Sequence, residues 1–142
     1  MSLCVRSKEM KKTIVSLLAL LLCAGCSEKL SPEEQAMNAA KEAAQACYAD
    51  LLAGRYEQFL QGRAGMDSIP EGYREQLVAS YKQFLSQQRD AHGGITSFQV
   101  NNARIDSTQQ LIQVFLILHF ADSTQEEIVV PMVEQNGQWK IK

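Results

Sequence analysis

Leu111-Ile112-Gln113-Val114-Phe115-Leu116-Ile117-Leu118-His119-Phe120 is the stretch that decides the fold. Ile112, Val114, Leu116, Leu118 and Phe120 are all apolar, whereas Leu111, Gln113, Phe115, Ile117 and His119 are mixed. A repeat of two marks a β-strand, because successive side chains of extended backbone leave on opposite faces. The wholly apolar set must leave water, so it is expected to face a core and the mixed set to point outward. The strand is expected to run over residues 110–122.

Working outward, three more strands are expected, over 95–106, 125–134 and 138–142. In the first, Phe98 and Val100 share one parity and Ala103 and Ile105 the other. A bulge near Asn101-Asn102 returns all four to one face. Asp106-Ser107-Thr108 and Asp122-Ser123-Thr124 read as turns, and Asn136-Gly137 is a hairpin signal. Trp139 and Ile141 fall on one side of the last strand, Lys140 and Lys142 on the other.

Upstream the period changes to that of a helix. Ser31 is an N-cap candidate, Pro32 suits the first helical position, and Glu33 and Glu34 complement the helix dipole. This helix is expected over 32–53, stopped by Gly54, with Ala36, Ala40, Ala43, Ala44, Cys47 and Leu51 on its buried face and Tyr48 beside them. Alanines on that face permit close approach to whatever it covers. A short second helix is expected over 56–60, and a loop punctuated by Gly62, Gly65, Pro70 and Gly72 follows. A third, over 71–91, carries Tyr73, Leu77, Tyr81, Phe84, Leu85 and Gln88 on one face and ends at Gly93-Gly94. Helices first and strands after give an α+β class, with three N-terminal helices packed on a curved four-stranded antiparallel sheet.

Two stretches resemble a known superfamily. Cys47-Tyr48-Ala49-Asp50-Leu51-Leu52-Ala53-Gly54-Arg55-Tyr56 resembles the aromatic–small–x–Leu–x–x–Gly–x–aromatic opening of the cystatin-like, nuclear-transport-factor-two-like superfamily. Val133-Glu134-Gln135-Asn136-Gly137-Gln138-Trp139-Lys140-Ile141 is similar to its final hairpin. Nearest in kind are bacterial lipoproteins with a single lumazine-binding-like or SnoaL-like domain. The resemblance implies a cone-shaped fold and a sheet face used for dimerisation. It does not imply one chemistry, since isomerases, cyclases and binding modules share the fold.

At the N-terminus, Met10-Lys11-Lys12 precedes an apolar run over 14–24 that ends in Cys23-Ala24-Gly25-Cys26. The run is too short for a bilayer span, which needs about 20 apolar residues. The ending resembles the lipobox of bacterial lipoproteins, with Cys23 where a leucine is usual. The expected organisation is a lipoprotein signal peptide over 1–25 with its true start at Met10, a lipidated tether over 26–32, and a single α+β domain over 33–142. Cys26 is the expected lipid attachment, holding the chain to the membrane of the bacterial cell envelope. Ser27 in place of an aspartate implies the outer membrane, by resemblance to enteric lipoproteins.

The composition bears on partners. With 46% hydrophobic and 21% charged residues, the chain is neither disordered nor a disulfide scaffold. From Cys26 onward ten Lys and Arg face fifteen Asp and Glu, a net charge of about −5, so no nucleic-acid partner is expected. Cys47 is the one thiol left after processing and lipidation, and reads as a core residue. No metal and no cofactor are expected, because the Cys and His spacings match no known ligand set.

Two functions remain. The favoured one is a non-enzymatic envelope module for a small ligand or a protein, meeting its partner or a second copy through the sheet face. Leu111, Phe115 and Ile117 would form that contact, with His119 at its margin and Val129 and Val133 extending it. The alternative is a small isomerase- or cyclase-like enzyme. It needs the opposite parity, with His119 turned inward as general base near Tyr48 or Tyr81.

Overall fold

The computed structural model describes residues 28–142. The expected leader and Cys26 lie outside the described residues. The chain separates into two units, Met1–Leu30 and Ser31–Lys142, and the second is the domain.

Helix α1 spans Pro32–Leu52. Ser31 and Glu34 cap it reciprocally: the Glu34 amide donates to Ser31 Oγ at 3.2 Å, and the Ser31 amide donates to Glu34 Oε2 at 2.8 Å. Those bonds hold the Glu34 carboxyl below the usual carboxylate range. Ala40, Ala44, Cys47 and Leu51 form its buried stripe, with both alanines wholly excluded from solvent. Without bulk at Ala40 and Ala44 the helix lies close to the sheet and touches every strand.

Helix α2, Tyr56–Gln61, buries Phe59 and Leu60. The chain then lays Gly62–Ala64 along the free edge of the last strand. The Ile141 amide donates to the Gly62 carbonyl at 2.8 Å, and the Ala64 amide donates to the Ile141 carbonyl at 2.7 Å. Helix α3, Glu71–His92, ends on Gly93 at φ +76°. It sits shallowly. Leu77, Tyr81 and Leu85 are half-buried, and none of its residues is fully buried. Tyr73 and Phe84, expected on its covered face, are 47% and 36% exposed. The ends of that apolar stripe reach past the body that the helix rests on.

Strands β1 (Ile95–Asp106), β2 (Leu111–Phe120), β3 (Gln125–Gln135) and β4 (Gln138–Ile141) form one antiparallel meander in sequence order. The expected bulge is present. The β1–β2 register slips between Val100 and Asn102, and Phe98, Val100, Ala103 and Ile105 all come opposite inward-facing residues of β2. The β3–β4 hairpin turns on Asn136 and Gly137 at φ +52° and +75°, the backbone that a two-residue hairpin requires. Val114, Leu116, Val130 and Met132 are at most 2% exposed and make the centre of the core under α1. The class is α+β, as the element order predicts.

Candidate functional site

Strand β2 sorts the candidate residues. Ile112, Val114, Leu116, Leu118 and Phe120 are 0–5% exposed and lie under the helices. Phe115, Ile117 and His119 leave on the other face and are only half-buried. Phe115 stands between Asn102 and Val129, Ile117 between Gln99 and Glu127, and Gln113 between Arg104 and Pro131. Val129 is 50% exposed, and Val133 lies beyond Pro131 opposite Lys140. The result is an apolar band across the outer sheet face. Arg104 closes one side: it donates to Gln113 Oε1 at 2.6 Å, and its guanidinium lies 5.8 Å from the Phe115 ring centroid.

Leu111 does not join this band. It is 4% exposed. It opens β2 immediately after Gln110 at φ +52°, where the chain is still leaving the turn and alternation has not begun. Leu111 and Ile112 are therefore both buried.

His119 lies opposite Ser97 on β1 and Gln125 on β3. Its backbone carbonyl accepts from Thr96 Oγ1 at 3.1 Å. Tyr48 and Tyr81 are on the opposite side of the sheet, packed against the core. The structure thus divides the sequence-selected residues into two groups and does not build the inward pocket that pairs His119 with a tyrosine.

The helix side holds a ring cluster instead. Phe59 meets Tyr48 edge-on at 5.9 Å and Tyr81 edge-on at 4.9 Å, and Tyr48 lies 6.1 Å from Phe98. Burial pushes the Tyr48 phenol above its usual value. Arg63 enters this cluster, a residue the sequence did not single out. Its Nη1 donates to Tyr81 Oη at 3.1 Å, while its buried Nε has no partner. An arginine in a Gly-Arg-Ala-Gly loop carries no local sign of this. Only the pairing of that loop with Ile141 brings it to a tyrosine 18 positions away.

Cys47 is 8% exposed, and its Sγ lies 3.9 Å from the Gly62 carbonyl. Burial pushes its thiol up, with the Asp50 charge adding to the effect, so it is held as the neutral, unreactive form. His92 stands in the last turn of α3, where a histidine complements the helix dipole. Its Nδ1 also pairs with Asp122 Oδ2 at 2.9 Å, and its ring lies 4.7 Å from that of Phe120. Among the described residues, no group of three or more His, Cys, Asp or Glu is placed to hold a metal ion.

No family model matches the chain, and no curated protein matches it. Among solved structures, it is similar to a crystal structure from Campylobacter jejuni, provisionally assigned as an NTF2-like transpeptidase. The two share 10% identity with a TM-score of 0.55, over 70% of this chain and 94% of that one. At that identity the likeness is one of fold, and the chain has an NTF2-like fold.

Proposed function

We propose, with the NTF2-like fold as premise, that the chain is a non-enzymatic, lipid-anchored protein of the bacterial envelope. Its domain meets a second copy of itself, or another envelope protein, through the outer sheet face. The observation that carries the reading is the band of Phe115, Ile117, Val129, Pro131 and Val133. Single exposed apolar side chains are ordinary, whereas a contiguous patch on a small domain is the usual mark of a contact surface. Polar groups surround it, with Gln99, Arg104, Glu127 and His119 at its margins, as in interfaces with an apolar centre and a wet rim.

Enzymatic readings gain less support. Proton abstraction in the fold's interior needs a general base there, and His119 stands outside. Transpeptidation, the activity the neighbour is named for, needs an activated nucleophile. Cys47 is buried with its thiol pushed up, which is the opposite of activation.

The anchoring half of the proposal rests on Ala24-Gly25-Cys26 and the apolar run before it. Intact mass of membrane-extracted protein should place a diacylglyceryl adduct on Cys26, and Cys26→Ser should abolish both adduct and membrane retention. The contact half is tested by size. Residues 27–142 should elute above monomer mass at high concentration, and Phe115→Asp should return the species to a monomer that still unfolds cooperatively. A wild-type domain that stays monomeric and captures no envelope protein would remove the sheet-face reading.

A further inference from the structure

A cleft of about 370 Å³ opens where the first turn of α1 meets the ends of β1, β2 and β4. Its origin is local. Helix α1 begins at Pro32, so from this helix Pro32, Glu33 and Ala36 line the cleft. Alanine is too small to fill the space above Ile105 and Trp139. Ile105 therefore stays 38% exposed, although its backbone partner Ile112 is 3% exposed. Leu111, which leaves the outer band, forms part of this floor. The cleft is mostly apolar and within the size range of small-molecule sites.

Its charge is of one sign. Glu33, Asp106 and Glu134 line it, and no lysine or arginine does. Asp106 Oδ1 is occupied by the Thr108 and Gln109 amides at 3.1 Å. Glu33 and Glu134 form no ion pair among the described residues. The α1 N-terminus opposes a cation here with about half a positive charge. Glu33 and Glu34 in the first turn place two full negative charges against it.

We propose that this cleft binds a small amphiphilic cation, an apolar body of about one aromatic ring carrying a single protonated amine. The body lies over Ile105 and Trp139 beneath Ala36, and the ammonium takes the unpaired carboxylates of Glu33 and Glu134. The proposal is independent of the sheet-face contact, which uses the opposite side of the sheet.

Trp139 is the chain's one tryptophan, so its emission reports this cleft alone. The experiment titrates the full chain with 2-phenylethylammonium, with neutral 2-phenylethanol and with phenylacetate, under excitation that spares the ligands. The ammonium should give a saturable change, the alcohol should bind at least about five-fold more weakly, and the carboxylate should not saturate. Glu33→Gln with Glu134→Gln should bring the ammonium down to the affinity of the alcohol and leave the alcohol unchanged. Both substitutions are at exposed positions, so folding is not at stake. Ala36→Phe should fill the cleft and abolish both responses, while phenylethylammonium shifts in nuclear magnetic resonance spectra disappear with it. Equal binding of all three probes, ammonium affinity unchanged in the glutamine variant, or no saturable response to the ammonium overturns the proposal.

Discussion

At the scale of the residue, Gly62 packs directly against Cys47. Gly62 has an ordinary helical backbone, with φ −72°, so it is not glycine for conformational reasons. A Cβ there would overlap Cys47 Sγ and approach the Phe59 carbonyl at 3.2 Å. Gly62→Ala is thus expected to destabilise the domain by about 1–3 kcal/mol through overpacking. Cys47→Ala alone should cost about 1 kcal/mol through a small cavity. Together they should cost clearly less than their sum, because removing Sγ makes room for the new methyl. Urea unfolding of the four proteins closes the cycle, and strict additivity would mean that the two residues do not share this space. The same contact explains the thiol's chemistry: what excludes a methyl also excludes water.

At the scale of the element, β2 is a strand whose neighbours in sequence have unlike energies. Leu116 is wholly buried beneath α1, and Ile117, one residue on, faces outward between Gln99 and Glu127. Leu116→Ala should cost about 2–5 kcal/mol, the range for a core leucine. Ile117→Ala should cost under about 1 kcal/mol in the monomer, and a larger loss appearing only at high concentration would report the sheet-face contact. A difference of the opposite sign would mean that the strand is shifted by one residue, which moves every side chain to the other face. Helix α1 shows the complementary device. Its stripe is thin because its centre is alanine, and that thinness sets the helix close to the sheet along most of its length while leaving the cleft open at its start.

At the scale of the whole molecule, α3 buries no residue fully and is tied down at its end. The Asp122 amide donates to the His92 carbonyl at 3.1 Å, and the Ala121 amide donates to the Gly94 carbonyl at 3.0 Å. The His92–Asp122 pair adds to these. Hydrogen bonds from the Thr124 hydroxyl and amide, and then from His92, hold the Asp122 carboxyl down at about 2, against an ordinary value of 3.8. A carboxyl lowered in the folded state contributes stability that is complete above its ordinary value and is lost as the pH falls toward the folded one. The expected outcome is a stability difference between wild type and Asp122→Asn that shrinks as the pH falls from about 4 to about 2. Urea midpoints for both proteins over that range measure it. A difference that does not move with pH would mean that the ionised carboxylate, bonded first to Thr124 and then to His92, is not what Asp122 contributes.

Much of this architecture was legible before any contact was known. The period of two in β2, the Ser31-Pro32 helix start, the Gly93 stop, the bulge at Asn101-Asn102 and the Asn136-Gly137 hairpin are all local effects. Each follows from the sterics and hydrogen bonding of a few adjacent residues, and so is written in adjacent residues. The outward placement of Phe115, Ile117 and His119 follows from the same alternation, once the more apolar face is assigned to the core. The candidate site was legible only to that extent. That Leu111 sinks into the core at the mouth of a turn, that Arg63 reaches Tyr81, that His92 pairs with Asp122 and that Ala36 leaves a gap above Trp139 depend on chain segments that meet only when the helices close on the sheet. Alternation and capping belong to the sequence by itself, because backbone geometry enforces them residue by residue. Pairings and gaps between distant segments belong to the tertiary structure, because they are set by how far each helix stands from the sheet and where it begins.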